Sequence, residues 1–293
     1  MGKRVLILGC GGQLGVELLG VFSQRGYDAT GFQRTELDIT DPIRVEHKVA
    51  SVDPQIVVNA AAYNQVDLAE KEPVAAYHVN ALAVRNLALA CRQIDALLVH
   101  FSTDYVFDGA KATPYVEEDP THPLGAYAVS KLAGELYAQA YLERPLIIRT
   151  SGVFGPGGLT TARGNFIELM LRLAGSGQQI RVVEDHIASP TYAPVLASRT
   201  ADLVERGARG VFHAGGGTAI SWFEYARMVF RLAEINAEVR ATNEREYRTA
   251  ARRPKFSALS NKKMERHGIE PFPPLEMALK SYLQWRERHA VKA

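Results

Sequence analysis

A chain of 293 residues, 47% of them hydrophobic, is long enough for one large core or for one core plus a smaller lobe. Its net charge of +2 gives no general attraction to nucleic acid or to a membrane surface, and no apolar run approaches the ~20 residues a membrane-spanning helix needs. Only Cys10 and Cys91 are present and a strand pattern begins at Lys3, so neither a disulfide framework nor a signal peptide is implied and a cytoplasmic location is expected.

The apolar run Lys3–Leu8 suits a buried parallel strand. It leads into Gly9, Gly12 and Gly15, with Gly11 also in the turn, and an amphipathic segment then runs from near Gln13 to near Arg25. Further strand patterns lie near Asp28–Phe32, Ile56–Asn59, Leu97–Phe101, Leu146–Arg149, Ile180–Val183 and Val211–His213. Helical patterns between them include Val74–Gln93, Tyr127–Tyr141 and Phe166–Ala174. This alternation predicts an α/β, doubly wound parallel sheet of Rossmann type, with ligands beyond the carboxyl ends of the strands. After Gly155 the alternation becomes irregular. The expected organisation is therefore a nucleotide-binding domain at 1–155 that also receives 187–214, and a substrate lobe made of 156–186 and 215–293. The polar stretch Ala237–Lys255 reads as a connection on the rim of that lobe.

The glycine loop has a physical reading. Glycines are needed where the backbone turns tightly and approaches a pyrophosphate, and the N–H groups that open the following helix bind the phosphates. A loop of this kind after a strand, at the start of a β-α-β series, points to a dinucleotide. Cys10 within it is a tolerated small residue. At the end of the second strand stand Gln33 and Arg34, where an acidic residue would accept the adenosine 2′-hydroxyl; Arg34 can instead pair with a 2′-phosphate. NADPH is the expected cofactor, with NADH left open.

Tyr127 and Lys131, in the run YAVSK, stand four residues apart and so share one face of a helix. A tyrosine ordinarily titrates near ~10, and a neighbouring cation favours the phenolate, which makes Tyr127 a usable proton donor near neutral pH. Thr103, in STDYVF, offers a hydroxyl to hold the oxygen that receives the proton. Asp104 and Asp108 flank Tyr105 without a His or Cys partner, so no metal is expected there; Asp108–Gly109 reads as a turn. His186 follows Asp185, but the Tyr/Lys pair already fills the acid/base role. Lys262, Lys263, Arg266 and His267 read as a solvated helix face.

Taken in order, the Gly9–Gly15 loop, ELDITD, VVNAAAYNQVDLAE, Asn80, STDYVFDG, YAVSK, IIRTSGVFG, SPTYA and ARRP resemble the extended short-chain dehydrogenase/reductase family, most closely its dTDP-4-dehydrorhamnose reductase branch. The resemblance covers nearly the whole chain. It implies reduction of a nucleotide-linked 4-keto-6-deoxy sugar, with Thr103, Tyr127 and Lys131 catalytic. It further implies that Gly9, Gly12, Gln13, Leu14, Gly15 and Arg34 hold the cofactor. Asp38 and Ile39 would face the adenine, Ala60, Ala61 and Tyr63 the path to the nicotinamide, and Asn80 would order the lysine. Asp104, Asn165, Phe166 and Arg253 would meet the substrate, Arg253 through its diphosphate, with Arg252 as the alternative.

A sugar-nucleotide dehydratase is disfavoured, because Asp104 is followed by Tyr105 rather than by a second carboxylate. Two rivals stay open: a sugar-nucleotide epimerase and a non-catalytic, NADP-binding regulatory subunit of the methionine adenosyltransferase type. A homodimer and a divalent ion such as Mg2+ are also left open. One departure stands out. The branch commonly carries a tryptophan where this chain has Gly152, which implies a larger sugar pocket unless a neighbour such as Phe154 or Tyr192 fills the space.

Overall fold

The computed structural model describes residues 2–159, 161 and 164–289. Met1, residues 290–293 and, in the irregular run after Gly155, Thr160, Ala162 and Arg163 lie outside the described residues.

Six parallel strands form the main sheet: β1 (Arg4–Leu8), β2 (Asp28–Phe32), β3 (Ile56–Asn59), β4 (Leu97–Thr103), β5 (Leu146–Thr150) and β8 (Gly210–Ala214). Their spatial order is β2-β1-β3-β4-β5-β8. The chain starts in the middle, steps out to β2, and returns to β3 on the other side of β1. That reversal opens a crevice above the carboxyl ends of β1 and β3. Helices cover both faces, so β3 reads IVVN with every residue buried, without the alternation of a half-exposed strand. On one face α1 (Gly15–Gln24) and α8 (Ala193–Glu205) contribute Leu18, Phe22, Leu196 and Leu203 to the core. On the other, α2 (Pro42–Val52), α5 (Ala83–Gln93) and α6 (Ala126–Tyr141) contribute Val45, Val84, Leu87 and Ala138. The expected doubly wound α/β sheet is the observed one.

Two elements differ from the sequence reading, β10 (Val239–Thr242) and the long helix before β4, whereas β6 (Ile180–Val183) lies in the lobe where 156–186 was expected. β6 does not join the main sheet; it pairs in parallel with β10 in a separate two-stranded sheet. Arg181 explains this, since it is exposed between buried Ile180 and Val182, the alternation of a strand with only one covered face. β10 lies inside the stretch read as a rim connection, its charges masking a strand exposed along its middle.

The second difference is the helix expected over Val74–Gln93. It is broken into α4 (Pro73–Tyr77), a π-helical turn at His78–Leu82, and α5, with α3 (Val66–Lys71) preceding them. Such a turn inserts one extra residue and redirects the side chains within it; here it carries the buried Asn80.

The remaining elements build the second lobe. α7 (Phe166–Gly175), α9 (Trp222–Leu232) and α11 (Leu275–His289) pack around Phe154, Ile167, Tyr225 and Tyr282. The short antiparallel pair β7 (Ile187–Ala188) and β9 (Ile220–Ser221) ties this group together, and α10 (Lys262–Arg266) returns to β8. Among the described residues no helix is long and apolar enough to cross a membrane.

Candidate active site

A cleft of about 800 Å³ runs from the glycine loop, over the carboxyl ends of β1, β3, β4 and β5, to the second lobe. Its nucleotide end is shaped by backbone. Gly9 has φ +76°, and a Cβ there would lie 2.8 Å from the Ala61 nitrogen; one on Gly15 would lie 2.1 Å from the Gly9 carbonyl oxygen. Side chains at these two positions would therefore push the loop off the sheet or the helix off the loop. Leu14 ends the loop at the start of α1 and makes no side-chain cap, so no side chain occupies the first-turn N–H groups there. This cradle fits a diphosphate. Gly12, Gln13, Ala60 and Ala61 line the same part of the cleft.

Arg34, 84% exposed, stands on the rim with its Nε 3.2 Å from Asp38 Oδ2. Asp38 also accepts from the Thr40 N–H and hydroxyl. Burial alone would raise its carboxyl, but these hydrogen bonds and Arg34 outweigh burial and hold it below its ordinary range. Ile39, also on the cleft wall, is largely core. Tyr63 has its backbone N–H and carbonyl clasped by the Asn80 amide at 2.9 Å each, and its hydroxyl bonds Glu72. Asn80 also donates to Ser130 Oγ, the residue before Lys131, at 3.0 Å. Its observed contacts thus fix the loop that lines the cleft and the helix that carries Lys131.

At the other end Thr103, Tyr127 and Lys131 converge on the cleft. Thr103 ends β4; Tyr127 and Lys131 lie one turn apart near the start of α6. Two interactions seat that helix. Buried Glu135 and Arg149 of β5 form an ion pair with Nη2···Oε2 2.8 Å, and Gly134 packs so closely that a Cβ would meet the Asn80 carbonyl at 2.2 Å. Lys131 is 3% exposed and its Nζ donates to the Phe101 carbonyl at 2.5 Å. Burial pulls its ammonium down to about 8, although Glu135 opposes the shift. Tyr105 stands edge-on to Tyr127, ring centroids 6.1 Å apart.

Asp104 lines the cleft beside Thr103. Its buried carboxylate accepts from Ser151 Oγ at 2.8 Å, Ser257 Oγ at 2.5 Å and Thr103 Oγ1 at 3.1 Å. It ties the ends of β4 and β5 to the C-terminal lobe, and burial lifts its pKa to about 6 against those three hydroxyls. Asp108 forms the expected turn, accepting from the Ala110 N–H beside Gly109.

Asn165 caps α7 and donates to Gln13 Oε1 at 3.0 Å; Gln13 in turn donates to the Val153 carbonyl. Both line the cleft, yet their amides tie the glycine loop to the second lobe. Phe166 is part of the wall and stacks on Tyr225. Arg253 is held at Asp67 and also reaches Tyr105, the ring beside Tyr127. Its guanidinium forks onto Asp67, with Nη2···Oδ2 2.6 Å, and also donates to Thr249 and Ala251. Among the described residues no group of three or more His, Cys, Asp or Glu is disposed to hold a metal ion.

The space beside Gly152 is filled, but by neither residue named from the sequence. Phe154 and Tyr192 stack on each other in the second lobe. The Trp222 ring instead stands 3.3 Å from where a Gly152 Cβ would be. Sequence reasoning also missed Ser151, Ser257 and Tyr282. Only Trp222 carried a signal: Ser221-Trp-Phe-Glu224 is a capping box, and Ser221 Oγ does accept from the Glu224 N–H.

Comparison with known proteins agrees with this geometry. The family described as "RmlD substrate binding domain" matches residues 3–287. The spore coat polysaccharide biosynthesis protein SpsK of Bacillus subtilis is 38% identical over 283 residues, covering 97% of this chain and 98% of that protein. A dTDP-4-dehydrorhamnose reductase of Mycobacterium tuberculosis is 38% identical over 287 residues, covering 96% and 92%. The crystal structure of a Bacillus anthracis dTDP-4-dehydrorhamnose reductase in complex with NADP superposes with a TM-score of 0.92 at 35% identity, covering 97% of this chain and all of that one. With a glycine cradle, a Tyr/Lys pair and this likeness along its length, the chain belongs to the dTDP-4-dehydrorhamnose reductase (RmlD) branch of the extended short-chain dehydrogenases/reductases.

Proposed function

We propose that this protein is an NADPH-dependent oxidoreductase that reduces a nucleotide-linked 4-keto-6-deoxy sugar, dTDP-4-dehydrorhamnose, to dTDP-rhamnose. The observation that carries the reading is the convergence of Thr103, Tyr127 and Lys131 on the cleft that begins at the glycine loop. Relatives at 38% identity bear the reductase name, and a relative at 35% identity is a complex with NADP.

When bound, NADPH supplies the hydride that the keto carbon receives. Gly9, Gly12 and Gly15 leave room for its diphosphate, Leu14 opens the helix beneath it, and Arg34 takes the 2′-phosphate by charge-assisted hydrogen bonds. Tyr127 donates its phenolic proton to the oxygen that becomes the 4-hydroxyl, so the substrate gains one hydride and one proton. Thr103 turns its hydroxyl from Asp104 to that oxygen and fixes the carbonyl. The Lys131 ammonium stabilises the phenolate left on Tyr127. Asp104 acts as a positioning residue for Thr103.

The nucleotide-binding domain in this reading is 1–155 with 187–214, and the sugar nucleotide lies against the lobe of 156–186 and 215–293. Both ligands are small molecules of the cytoplasm, and a second copy of the chain is the expected partner where there is one. Arg253, steadied by Asp67, is the residue that would meet the substrate diphosphate.

The test is to mix the protein with NADPH and dTDP-4-dehydrorhamnose and follow oxidation of the reduced cofactor. Turnover with stoichiometric loss of NADPH is expected. Interconversion of sugar epimers without net cofactor oxidation would instead make it an epimerase. NADPH binding with no turnover of either kind would make it a binding subunit.

A further inference from the structure

Trp222 is the first residue of α9, and the Ser221 cap and a hydrogen bond from its own N–H to the His186 carbonyl fix its backbone. Its ring is tilted against Phe166, centroids 4.7 Å apart, so the second lobe holds it in one orientation. The indole is only partly buried and lines the same cleft as Thr103 and Tyr127. Its distance from the reacting end can be followed strand by strand. Thr103 is the register partner of Thr150 on β5, and adjacent strands lie ~4.8 Å apart. Gly152 is two residues further along, at most ~7 Å of chain. The Trp222 ring stands 3.3 Å from the Cβ position of that glycine. The indole thus lies within ~15 Å of Thr103 on the wall of the same cleft.

Gly152 is what admits it. Its φ of +50° lies in the left-handed region, and a side chain there would meet Trp222 and Pro190 together, each at 3.3 Å. A bulky residue at 152 and the indole of Trp222 compete for one volume.

We propose that Trp222 is the aromatic wall of the sugar subsite, receiving the apolar face of the 6-deoxy sugar and setting selectivity for it. The inference rests on the reductase reading above. An indole offers a broad rigid face at little cost in conformational entropy, and a 6-deoxy sugar has a methyl-bearing apolar side to lay on it. Trp222 forms no bond in the reaction; it determines which sugar is held against Tyr127.

Trp222 and Trp285 are the only two tryptophans, so Trp285→Phe leaves a protein whose emission comes from Trp222 alone. Titration of that variant with dTDP-rhamnose should change the emission, whereas dTDP alone should bind without doing so. Binding of dTDP-rhamnose by calorimetry with an unchanged emission, or an equal change with dTDP, would overturn the proposal. In parallel, Trp222→Leu should raise KM for the sugar nucleotide roughly tenfold, the scale of a lost apolar contact, with kcat and NADPH affinity nearly unchanged. Trp222→Phe should recover part of the loss. An unchanged KM in the folded leucine variant also counts against the proposal. If Trp222→Leu does not fold, the emission titration still decides. Absence of NADPH-dependent turnover by the wild-type protein would instead remove the reductase reading itself, and this inference with it.

Discussion

The two ends of the cleft are built by different means. At the nucleotide end the ligand surface is backbone: Gly9 and Gly15 stand where an added Cβ would lie 2.8 and 2.1 Å from neighbouring backbone, and no side chain caps the start of α1. At the sugar end the surface is side chains brought from separate segments. Thr103 ends β4, Tyr127 and Lys131 stand on α6, Phe166 opens α7 and Trp222 opens α9. The first kind of surface recognises what all dinucleotides share. The second distinguishes one sugar from another, and is the more easily altered by single substitutions.

The sharpest way to separate the two ends is Tyr127→Phe. It keeps the ring that stands edge-on to Tyr105 and removes only the transferable proton. Turnover should fall by about 10²–10⁴-fold, the contribution of a positioned general acid. NADPH affinity, measured by fluorescence titration, should stay within about twofold because the glycine cradle is untouched. Near-normal turnover would dismiss Tyr127 as the proton donor.

Glu135→Ala tests what joins the ends. The variant would leave Arg149 buried and unpaired beneath α6, the helix that carries Tyr127 and Lys131. Removing one partner of such a pair costs about 3–5 kcal/mol, and denaturant unfolding should register it. A loss below about 1 kcal/mol would mean that α6 is seated by packing alone.

At the nucleotide end, Arg34→Ala should weaken NADPH by roughly 1.5–3 kcal/mol, the scale of a charged hydrogen bond, and leave NADH nearly unchanged. The exposed pairing with Asp38 is worth little in water, so Arg34 is available to a phosphate. Equal losses for both cofactors would assign Arg34 to the rim structure and not to the 2′-phosphate.

The difference between the ends also governs what the sequence disclosed. Glycines betray backbone-built surfaces, since a strand followed by closely spaced glycines and a helix leaves few other readings; the first end was therefore legible from Lys3 to Gly15. The Tyr127/Lys131 pair was legible because helical periodicity links two residues within one turn. The sugar end was not, because Asp104 meets Ser151 across 47 residues and Ser257 across 153, contacts that no local pattern announces. Arg253 shows the same: its partner Asp67 lies 186 residues away, a pairing that no local pattern discloses. The π-helical turn at Asn80 was hidden for a related reason. The close approach of Gly134 to the Asn80 carbonyl is tertiary, while the local pattern continues as an ordinary helix.

The mildest test uses pH, and it also separates the ends. Burial depresses Lys131, so its ammonium is present below about 8 and is lost as pH rises through that value. Neighbouring His100 offers no substitute charge, because burial, reinforced by Lys131 itself, holds its pKa well below the ordinary histidine range. Glu135 is engaged by Arg149 and opposes the depression only in part. If the charged form supports the phenolate of Tyr127, kcat should be nearly flat below about pH 7 and halve near 8. It should then fall about tenfold per unit above that, as a single deprotonation requires. NADPH affinity should change far less over the same interval, since the glycine cradle is built of backbone. Lys131→Arg should flatten the alkaline limb at a lower plateau, because guanidinium keeps its charge but does not reproduce the seat of the ammonium on the Phe101 carbonyl. An alkaline limb that survives this substitution would belong to another group, and Lys131 would then be only a structural clasp between α6 and β4.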